Sequence, residues 1–212
     1  MPSNSVQIKR AQKSSYFQNI EQYRRDMQIN TELCGVPMQF ATTWGLFSPR
    51  NIDEGSRLLL DHIQVNVDDN CLDIGCGYGP LGITIAKLAP QGRTLLIDKD
   101  FVAVEYTQKN ILLNRVNNCD AFLSNGFNQI SDHSNAQKFS LIVSNIPAKV
   151  GNELLSLFLF DAAQHLEKNG RIYVVTISGI RKYIERSFKE VFGNYKKIKQ
   201  GKTYTIGMAT KE

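Results

Sequence analysis

Residues 70–82 read NCLDIGCGYGPLG and combine a short apolar run, an acidic residue and four glycines. We expect a buried strand that ends at Asp73, then a glycine loop, then a helix, because apolar residues recur at helical spacing from 83 to 88. Glycines at 75, 77 and 79 leave bare backbone against which a ligand can lie. Loop N–H groups and the helix N-terminus would supply donors and partial positive charge. The stretch therefore predicts a cofactor-binding loop beside a carboxylate.

Two cofactor classes fit this loop. GYGPLG at 77–82 matches the G-x-G-x-x-G pattern of dinucleotide-binding proteins, and Asp98 follows at a suitable distance for a ribose hydroxyl. DIGCG at 73–77 matches the acid-x-Gly-x-Gly loop of S-adenosylmethionine (SAM) enzymes. Asp73 favours SAM, because a carboxylate can neutralise the ammonium of that cofactor but would repel a pyrophosphate. The loop alone leaves both classes open.

The composition predicts one α/β domain of a cytoplasmic protein. The chain has 212 residues, of which 42% are hydrophobic, and no apolar run approaches the ~18 residues of a membrane span. The first fifteen residues are polar, so we expect no secretory signal. The four cysteines form no C-x-x-C pair, which favours reduced thiols.

Positive charge is concentrated near the two ends of the chain. Residues 1–25 hold five Lys and Arg against one acid, and residues 181–202 hold eight against two. The net charge of +5 therefore leaves about −5 for the remainder. This distribution suits a polyanion such as RNA, although basic helix faces can also be merely solvated.

We divide the chain into a basic N-terminal arm or helix, residues 1–26, and a cofactor-binding domain, residues 27–212, for which we favour SAM. Alternating apolar residues on both sides of Cys34-Gly35 predict a β-hairpin over 27–33 and 36–42. Further strands are expected at 93–98, 119–123, 139–143 and 171–177, with helices at 101–115, 154–166 and 180–192, and a final antiparallel pair at 195–198 and 203–208. Such alternation predicts a doubly wound, mostly parallel, Rossmann-like sheet covered on both faces.

Polar residues follow the carboxyl ends of several predicted strands, where ligands bind in open α/β sheets. Asp98 would accept hydrogen bonds from ribose hydroxyls, or would cap the next helix. Asn125 would lie near adenine, or would serve as a turn residue. Lys99 and Gly126 adjoin them and complete the predicted cofactor site, which is listed in full as Asp73, Gly75, Cys76, Gly77, Gly79, Asp98, Lys99, Asn125, Gly126 and Asn145.

Asn145-Ile146-Pro147 is the predicted catalytic segment. An exocyclic base amine is a poor nucleophile because its lone pair is delocalised into the ring. The Asn145 side-chain oxygen and the Ile146 carbonyl could accept both amine hydrogens and aim the lone pair at a methyl donor, while Pro147 stiffens the loop. In-line displacement then needs positioning and desolvation rather than a strong base. A plain loop Asn before a Pro turn is the alternative.

Large apolar groups in the loop 44–50 suggest a lid over the cofactor cleft, with plain packing as the alternative. Trp44 and Phe47 are candidate substrate-binding residues, together with Lys149. The three histidines are scattered, so we expect no metal site. A nicotinamide-dependent dehydrogenase is disfavoured because no catalytic Tyr/Lys or His pair has a recognisable spacing.

The motifs DIGCGYGP at 73–80 and SNIP at 144–147, followed by Gly151, resemble the class I "methyltransferase small" domain family. GLFS at 45–48 and DEGSRLL at 53–59 match the same family, and the resemblance covers about residues 27–210. Its best-known members are guanine-N2 methyltransferases of 16S ribosomal RNA. The resemblance implies a seven-stranded sheet with the last strand antiparallel, SAM as methyl donor, and ribosomal RNA or a ribosomal subunit as partner.

Two positions depart from the family pattern. The motif is usually Asn-Pro-Pro followed by an aromatic or another apolar residue, whereas here it reads Asn145-Ile146-Pro147-Ala148, and Ala148 cannot stack on a base. Asn125 stands where an acid is usual. Long members also carry a second N-terminal copy that helps to bind RNA, and we expect the basic ends of this chain to substitute for it. Methylation of a protein amide nitrogen or a small molecule, and a non-catalytic RNA-binding module, remain alternatives.

Overall fold

The computed structural model describes Ile20 and residues 25–130, 138–147 and 150–212. The strands are β1 Met27–Leu33, β2 Val36–Thr42, β3 Cys71–Ile74, β4 Thr94–Asp98, β5 Cys119–Leu123, β6 Phe139–Asn145, β7 Leu166–Ile177, β8 Lys196–Gln200 and β9 Tyr204–Thr210. The helices are α1 Glu54–Leu60, α2 Pro80–Leu88, α3 Phe101–Leu113, α4 Asn152–His165 and α5 Arg181–Phe192, with a 3-10 turn at Ser178–Ile180.

Seven strands form one sheet in the order β5-β4-β3-β6-β7-β9-β8. Strands β3 to β7 pair in parallel, and β9 runs antiparallel to both of its neighbours. One core lies between the sheet and α1, α2, α3 and the N-terminal hairpin, and the other lies beneath α4 and α5. The predicted doubly wound fold, with its last strand antiparallel, is confirmed. Strand order changes direction between β3 and β6, so the carboxyl ends of these strands flank the expected ligand cleft.

The predicted hairpin forms a separate two-stranded sheet. Its register pairs Leu33 with Val36, so the turn consists of Cys34 and Gly35 alone. Their φ angles are 52° and 74°, the left-handed values that a two-residue turn matching the strand twist requires.

Asn110 on α3 and Asn114 directly after that helix hold the hairpin to the main domain. Asn110 accepts from Ala41 N at 2.7 Å and donates to the carbonyls of Ala41 and Tyr78, both at 2.9 Å. One turn later, Asn114 accepts from Gln39 N at 3.0 Å and donates to Gln39 O at 2.6 Å. The two amides therefore replace a strand partner for β2, and Asn110 also fixes the glycine loop through Tyr78.

Most element positions agree with the sequence prediction, but the predicted end of one helix is wrong. Helix α4 ends at His165, and Leu166 already belongs to β7, where it pairs with Phe139. The pairing shifts register before Arg171 pairs with Leu141, and Asn169 has a φ of 64° within the extra residues. The predicted helix break at 169–170 is thus an irregularity inside a strand.

The predicted basic arm is largely outside the described residues, because 1–19 and 21–24 are not among them. The division at residue 26 stays a prediction. Across the parts of the chain that are described, none of the helices has the length and apolar character needed to cross a membrane.

Replacing Asn110 by Leu should lower the free energy of unfolding by about 3 kcal/mol, because the backbone groups of Ala41 and Tyr78 would lose buried partners. Urea denaturation measures the change. Asn117→Leu, at an exposed position of the loop after α3, is the control and should change stability by less than about 0.5 kcal/mol. Equal destabilisation of both variants would contradict the structural role of Asn110.

Candidate active site

The glycine loop is bent back onto β4. Both Gly75 N and Cys76 N donate to Ile97 O, at 2.8 and 3.0 Å. Gly75 and Gly77 have φ angles of 71° and 58°, and a Cβ added to either would meet no other atom within 4 Å. Open space therefore lies directly against the backbone at these two positions, as a cradle for a ligand requires. Gly79 differs, since its Cβ would approach Ile83 Cδ1 to 2.6 Å.

Asp73 is completely buried at the end of β3. Its Oδ2 accepts from Gly82 N at 2.8 Å, whereas its Oδ1 has no hydrogen-bond partner in the described residues. Burial raises the pKa of Asp73 to about 7, the Gly82 N–H lowers it, and the charge of Asp98 raises it. A buried oxygen without a donor is costly, so the site is suited to a ligand that brings a donor or a positive charge.

Asp98 is half-buried at the end of β4 and lies against the loop. Its Oδ2 accepts from Gly77 N at 2.9 Å, and its Oδ1 accepts from Asp100 N at 3.0 Å. The cap of α3 is Asp100, which accepts from Val102 N at 2.8 Å. The alternative that Asp98 caps this helix is therefore wrong, and its predicted contact with ribose stays a prediction.

The other predicted cofactor residues lie at the same sheet edge. Ser124 N donates to Asp98 O at 2.9 Å, which places the loop after β5 beside the end of β4. Asn125 and Gly126 are exposed in this loop, and Lys99 is exposed next to Asp98. The Asn125 backbone N–H donates to Gln129 Oε1 at 2.9 Å.

Thr107 on α3 holds the glycine loop through a hydrogen bond, and the sequence prediction missed this residue. Its hydroxyl donates to Gly77 O at 2.7 Å and lies 3.6 Å from the Cys76 sulfur. Burial raises the pKa of the Cys76 thiol well above its ordinary value, so the group is a neutral packing element. All four cysteines of the chain are free thiols.

Asn145 ends β6, and two other residues hold its side chain. Its amide nitrogen donates to Asp53 Oδ2 at 2.7 Å and to Ser56 Oγ at 2.9 Å. Asp53 Oδ2 also accepts from Gly55 N at 2.8 Å as the cap of α1, and Oδ1 accepts from Tyr204 OH at 3.1 Å. Because both amide hydrogens are used on this side, the carbonyl oxygen of Asn145 is directed away from Asp53.

Sequence reasoning did not find this cluster of Asp53, Ser56, Asn145 and Tyr204. The order Asp-x-Gly-Ser before an apolar run indicates a helix start, and that signal is present at 53–56. It contains no information on Asn145, which is 92 residues away in the chain. Only the packing of α1 and β9 at the end of β6 brings the four side chains together.

The rest of the predicted catalytic segment follows directly. Ile146 is buried and its N–H donates to Val175 O at 3.0 Å, so the backbone keeps its sheet pairing up to this residue. Pro147 is exposed, and its carbonyl accepts from Val150 N at 3.3 Å. Ala148 and the predicted substrate residue Lys149 are outside the described residues.

The loop that carries Trp44 and Phe47 is attached to the glycine loop. Tyr78 OH lies 3.3 Å from the carbonyl oxygens of both Ser48 and Asn51. Phe47 has 63% of its surface exposed, and the guanidinium of Arg50 lies 4.7 Å from the centre of the Trp44 ring. Exposed aromatic surface is therefore held beside the cofactor loop, as the lid hypothesis requires. In the described ranges no three His, Cys, Asp or Glu side chains lie together as a metal site.

Several known proteins are similar to this chain. Residues 37–207 match the family described as Methyltransferase small domain. Uncharacterized protein YbxB of Bacillus subtilis is 31% identical over 175 residues, which cover 81% of this chain and 85% of that protein. Ribosomal RNA small subunit methyltransferase C of Buchnera aphidicola is 31% identical over 171 residues, which cover 78% of this chain and 50% of that one.

A solved structure has the same fold. The 16S rRNA N2 G1207 methyltransferase of T. thermophilus, in complex with AdoMet and guanosine, superposes with a TM-score of 0.78. Its sequence is 24% identical, and the match covers 88% of this chain and 51% of that one. The chain thus spans about half the length of the curated ribosomal RNA methyltransferases that it matches.

The residues present fit SAM. Asp73 Oδ1 is a buried acceptor in need of a donor, and the cofactor carries an ammonium group. The open space against Gly75 and Gly77 can accept a ligand at the backbone, and Asp98 lies at the next strand end, where hydroxyl groups could reach it.

The affinity for SAM should depend on the ionisation of Asp73. Because the folded pKa is about 7, the carboxyl group is mostly neutral below pH 7 and ionised above it, and only the ionised form attracts an ammonium. Calorimetric titration should give roughly tenfold tighter binding at pH 7.5 than at pH 6. Asp73→Asn should bind weakly with little dependence on pH, whereas Asp100→Asn should keep the wild-type profile. A wild-type affinity that is constant over this range would exclude the assignment.

Proposed function

This chain belongs to the methyltransferase small domain family and uses S-adenosylmethionine, and we propose that it methylates the exocyclic N2 amine of a guanine in ribosomal RNA. The observation that carries the proposal is the fixed orientation of Asn145 at the end of β6. Its amide hydrogens are held by Asp53 and Ser56, so its oxygen is the group that can meet a substrate amine.

The amine needs an acceptor for each of its hydrogens. Asn145 Oδ1 would accept one, and the Ile146 carbonyl would accept the other. The Ile146 N–H is already paired with Val175 O, so the peptide is held by the sheet on one side and by Pro147 on the other. Two fixed acceptors would draw the lone pair out of conjugation and aim it at one point, which is the positioning that in-line transfer requires.

SAM supplies an activated methyl group when bound, and the protein has to hold and orient both reactants. Asp73, Asp98 and the cradle at Gly75 and Gly77 would hold the cofactor. No general base is required for attack, because the amine proton becomes acidic only once the nitrogen carries positive charge. The proton can then leave to water.

A base has to be held flat against the site. With Ala148 after Pro147, the family's usual aromatic is missing, and Phe47 or Trp44 would supply the stacking surface from the loop that Tyr78 fixes. The same alanine supports a second candidate function, methylation of an amide nitrogen in a protein, because an amide side chain needs no stacking partner.

Transfer of labelled methyl from SAM to deproteinised ribosomal RNA, to each ribosomal subunit and to a protein extract tests the proposal. We expect label in ribosomal RNA that digestion releases as N2-methylguanosine. Asn145→Ala should lower kcat by roughly 100-fold, because one amine acceptor is lost, with little change in SAM affinity measured by calorimetry. Label confined to protein would establish the second candidate function, and label in another nucleoside would exclude the guanine assignment.

Asp53 should act through Asn145 as a positioning residue. Replacing it by Ala frees the amide to rotate, and we expect kcat to fall roughly 10- to 100-fold while the KM for SAM stays constant. Tyr204→Phe is the matched control, since it removes a bond to Asp53 Oδ1 and leaves the Asn145 contact in place. Asp53 also caps α1, so Asp53→Ala should lose some thermal stability, and kcat is measured well below the midpoint of unfolding. An equal loss of kcat in both variants would indicate a purely structural role.

A further inference from the structure

A group of four basic residues lies at the same sheet edge as Asn145. Lys199 is near the end of β8 and Lys202 is in the turn before β9, while Arg181 and Lys182 begin α5. These four residues are named here the edge cluster, and all of them are exposed.

Hydrogen bonds fix the position of the edge cluster relative to the site. The Arg181 guanidinium donates to Ser178 O at 2.9 Å, and Ser178 N donates to Thr203 O at 2.7 Å, next to Lys202. Tyr204, which follows, donates to Asp53 and thereby reaches the residue that holds Asn145. Neighbouring strands are ~4.8 Å apart, so β8 lies about 14 Å from β6 across β7 and β9.

Charge pairing separates the two edge-cluster residues of α5, Arg181 and Lys182, from the basic residues further along that helix. Further along α5, Lys189 pairs with Glu185 at 2.7 Å, and Arg186 lies 3.7 Å from Glu190. In the ranges that the structure describes, none of the four edge-cluster residues forms an ion pair with an acid. Their charge is thus available to a partner.

Helix stability does not explain two of these charges. The first turn of α5 contains Arg181 and Lys182, contains no acid, and has no side-chain cap. Positive charge at a helix N-terminus opposes the helix dipole. Lysines on an edge strand can be explained by protection against sheet pairing, but Lys202 lies outside the strand and Arg181 and Lys182 are on a helix.

We propose that the edge cluster of Arg181, Lys182, Lys199 and Lys202 binds the phosphodiester backbone of the RNA next to the target base. The proposal rests on the proposed function, since it takes Asn145 as the position of that base. In duplex DNA the phosphates of one strand follow one another at ~3.4 Å along the helix axis, and on that scale a distance of about 14 Å corresponds to a few nucleotides. The contact would position the RNA without reading its sequence.

The test compares two variants that each lose four positive charges. The first replaces the edge cluster by Gln (Arg181→Gln, Lys182→Gln, Lys199→Gln, Lys202→Gln). The matched control replaces Arg186, Lys189, Lys196 and Lys197, which belong to the same helix and strand but lie further from the carboxyl edge. Affinity for deproteinised 16S ribosomal RNA is measured over a range of salt concentrations, and SAM binding is measured in parallel.

Loss of the edge cluster should weaken RNA binding roughly 500-fold at 0.1 M salt and should reduce the slope of log affinity against log salt by about 3, at about 0.7 per phosphate. The control should keep most of the affinity and slope, and both variants should bind SAM normally. Equal losses in the two variants, or no loss in the edge-cluster variant, would overturn the assignment of this surface. The proposed function would still stand in that case, provided that the wild type methylates RNA. If the edge-cluster variant kept its affinity for RNA and lost affinity only for an acidic protein, the proposal would be wrong, and the acidic protein would be the partner of this surface.

If wild-type protein neither binds nor methylates ribosomal RNA, the proposed function itself fails. That result is distinguishable from failure of the edge cluster, because it is measured on the unaltered chain.

Discussion

Two carboxylates hold the glycine loop and the helix that follows it, and the geometry of the site depends on this arrangement. Asp98 accepts from Gly77 N within the loop, and Asp73 accepts from Gly82 N in the first turn of α2. A Cβ at Gly82 would lie 2.4 Å from Leu96 Cδ2, so only glycine lets α2 approach the sheet closely enough for the second contact. The two acids come from adjacent parallel strands, and the pKa of Asp73 is raised mainly by burial and further by the charge of Asp98. The pKa of Asp73, the conformation of the glycine loop and the packing of α2 therefore depend on one another.

Elements that are determined by the pattern of residues within them could be predicted from the sequence. The hairpin follows from alternating apolar residues around Cys34-Gly35, and the sheet follows from apolar strands that alternate with amphipathic helices. The strand ends then follow, and with them Asp73, Asp98 and Asn145 at one edge. The end of α4 was predicted incorrectly because the apolar character of Leu166 suits a helix and a buried strand equally, and only its pairing with Phe139 decides.

Contacts between distant parts of the chain could not be predicted in this way. In the sequence, Asn110 and Asn114 look like ordinary polar positions of a helix. In the structure they accept hydrogen bonds from the backbone of β2, where a neighbouring strand would otherwise do so. Asp53 is recognisable as a helix cap, while its bond to Asn145 depends on how α1 packs beside β6. Side-chain hydrogen bonds between elements are a property of packing, and local periodicity does not encode them.

Strand β8 forms one edge of the seven-stranded sheet, and its outer backbone groups are not covered by another strand of the described residues. Exposed edges invite pairing with the edge of a second molecule, and lysines on such a strand counter this by repulsion. Lys196, Lys197 and Lys199 give β8 that character. The lysines that would oppose pairing with a second molecule also leave this surface open, so resistance to aggregation and access to the surface would depend on the same residues.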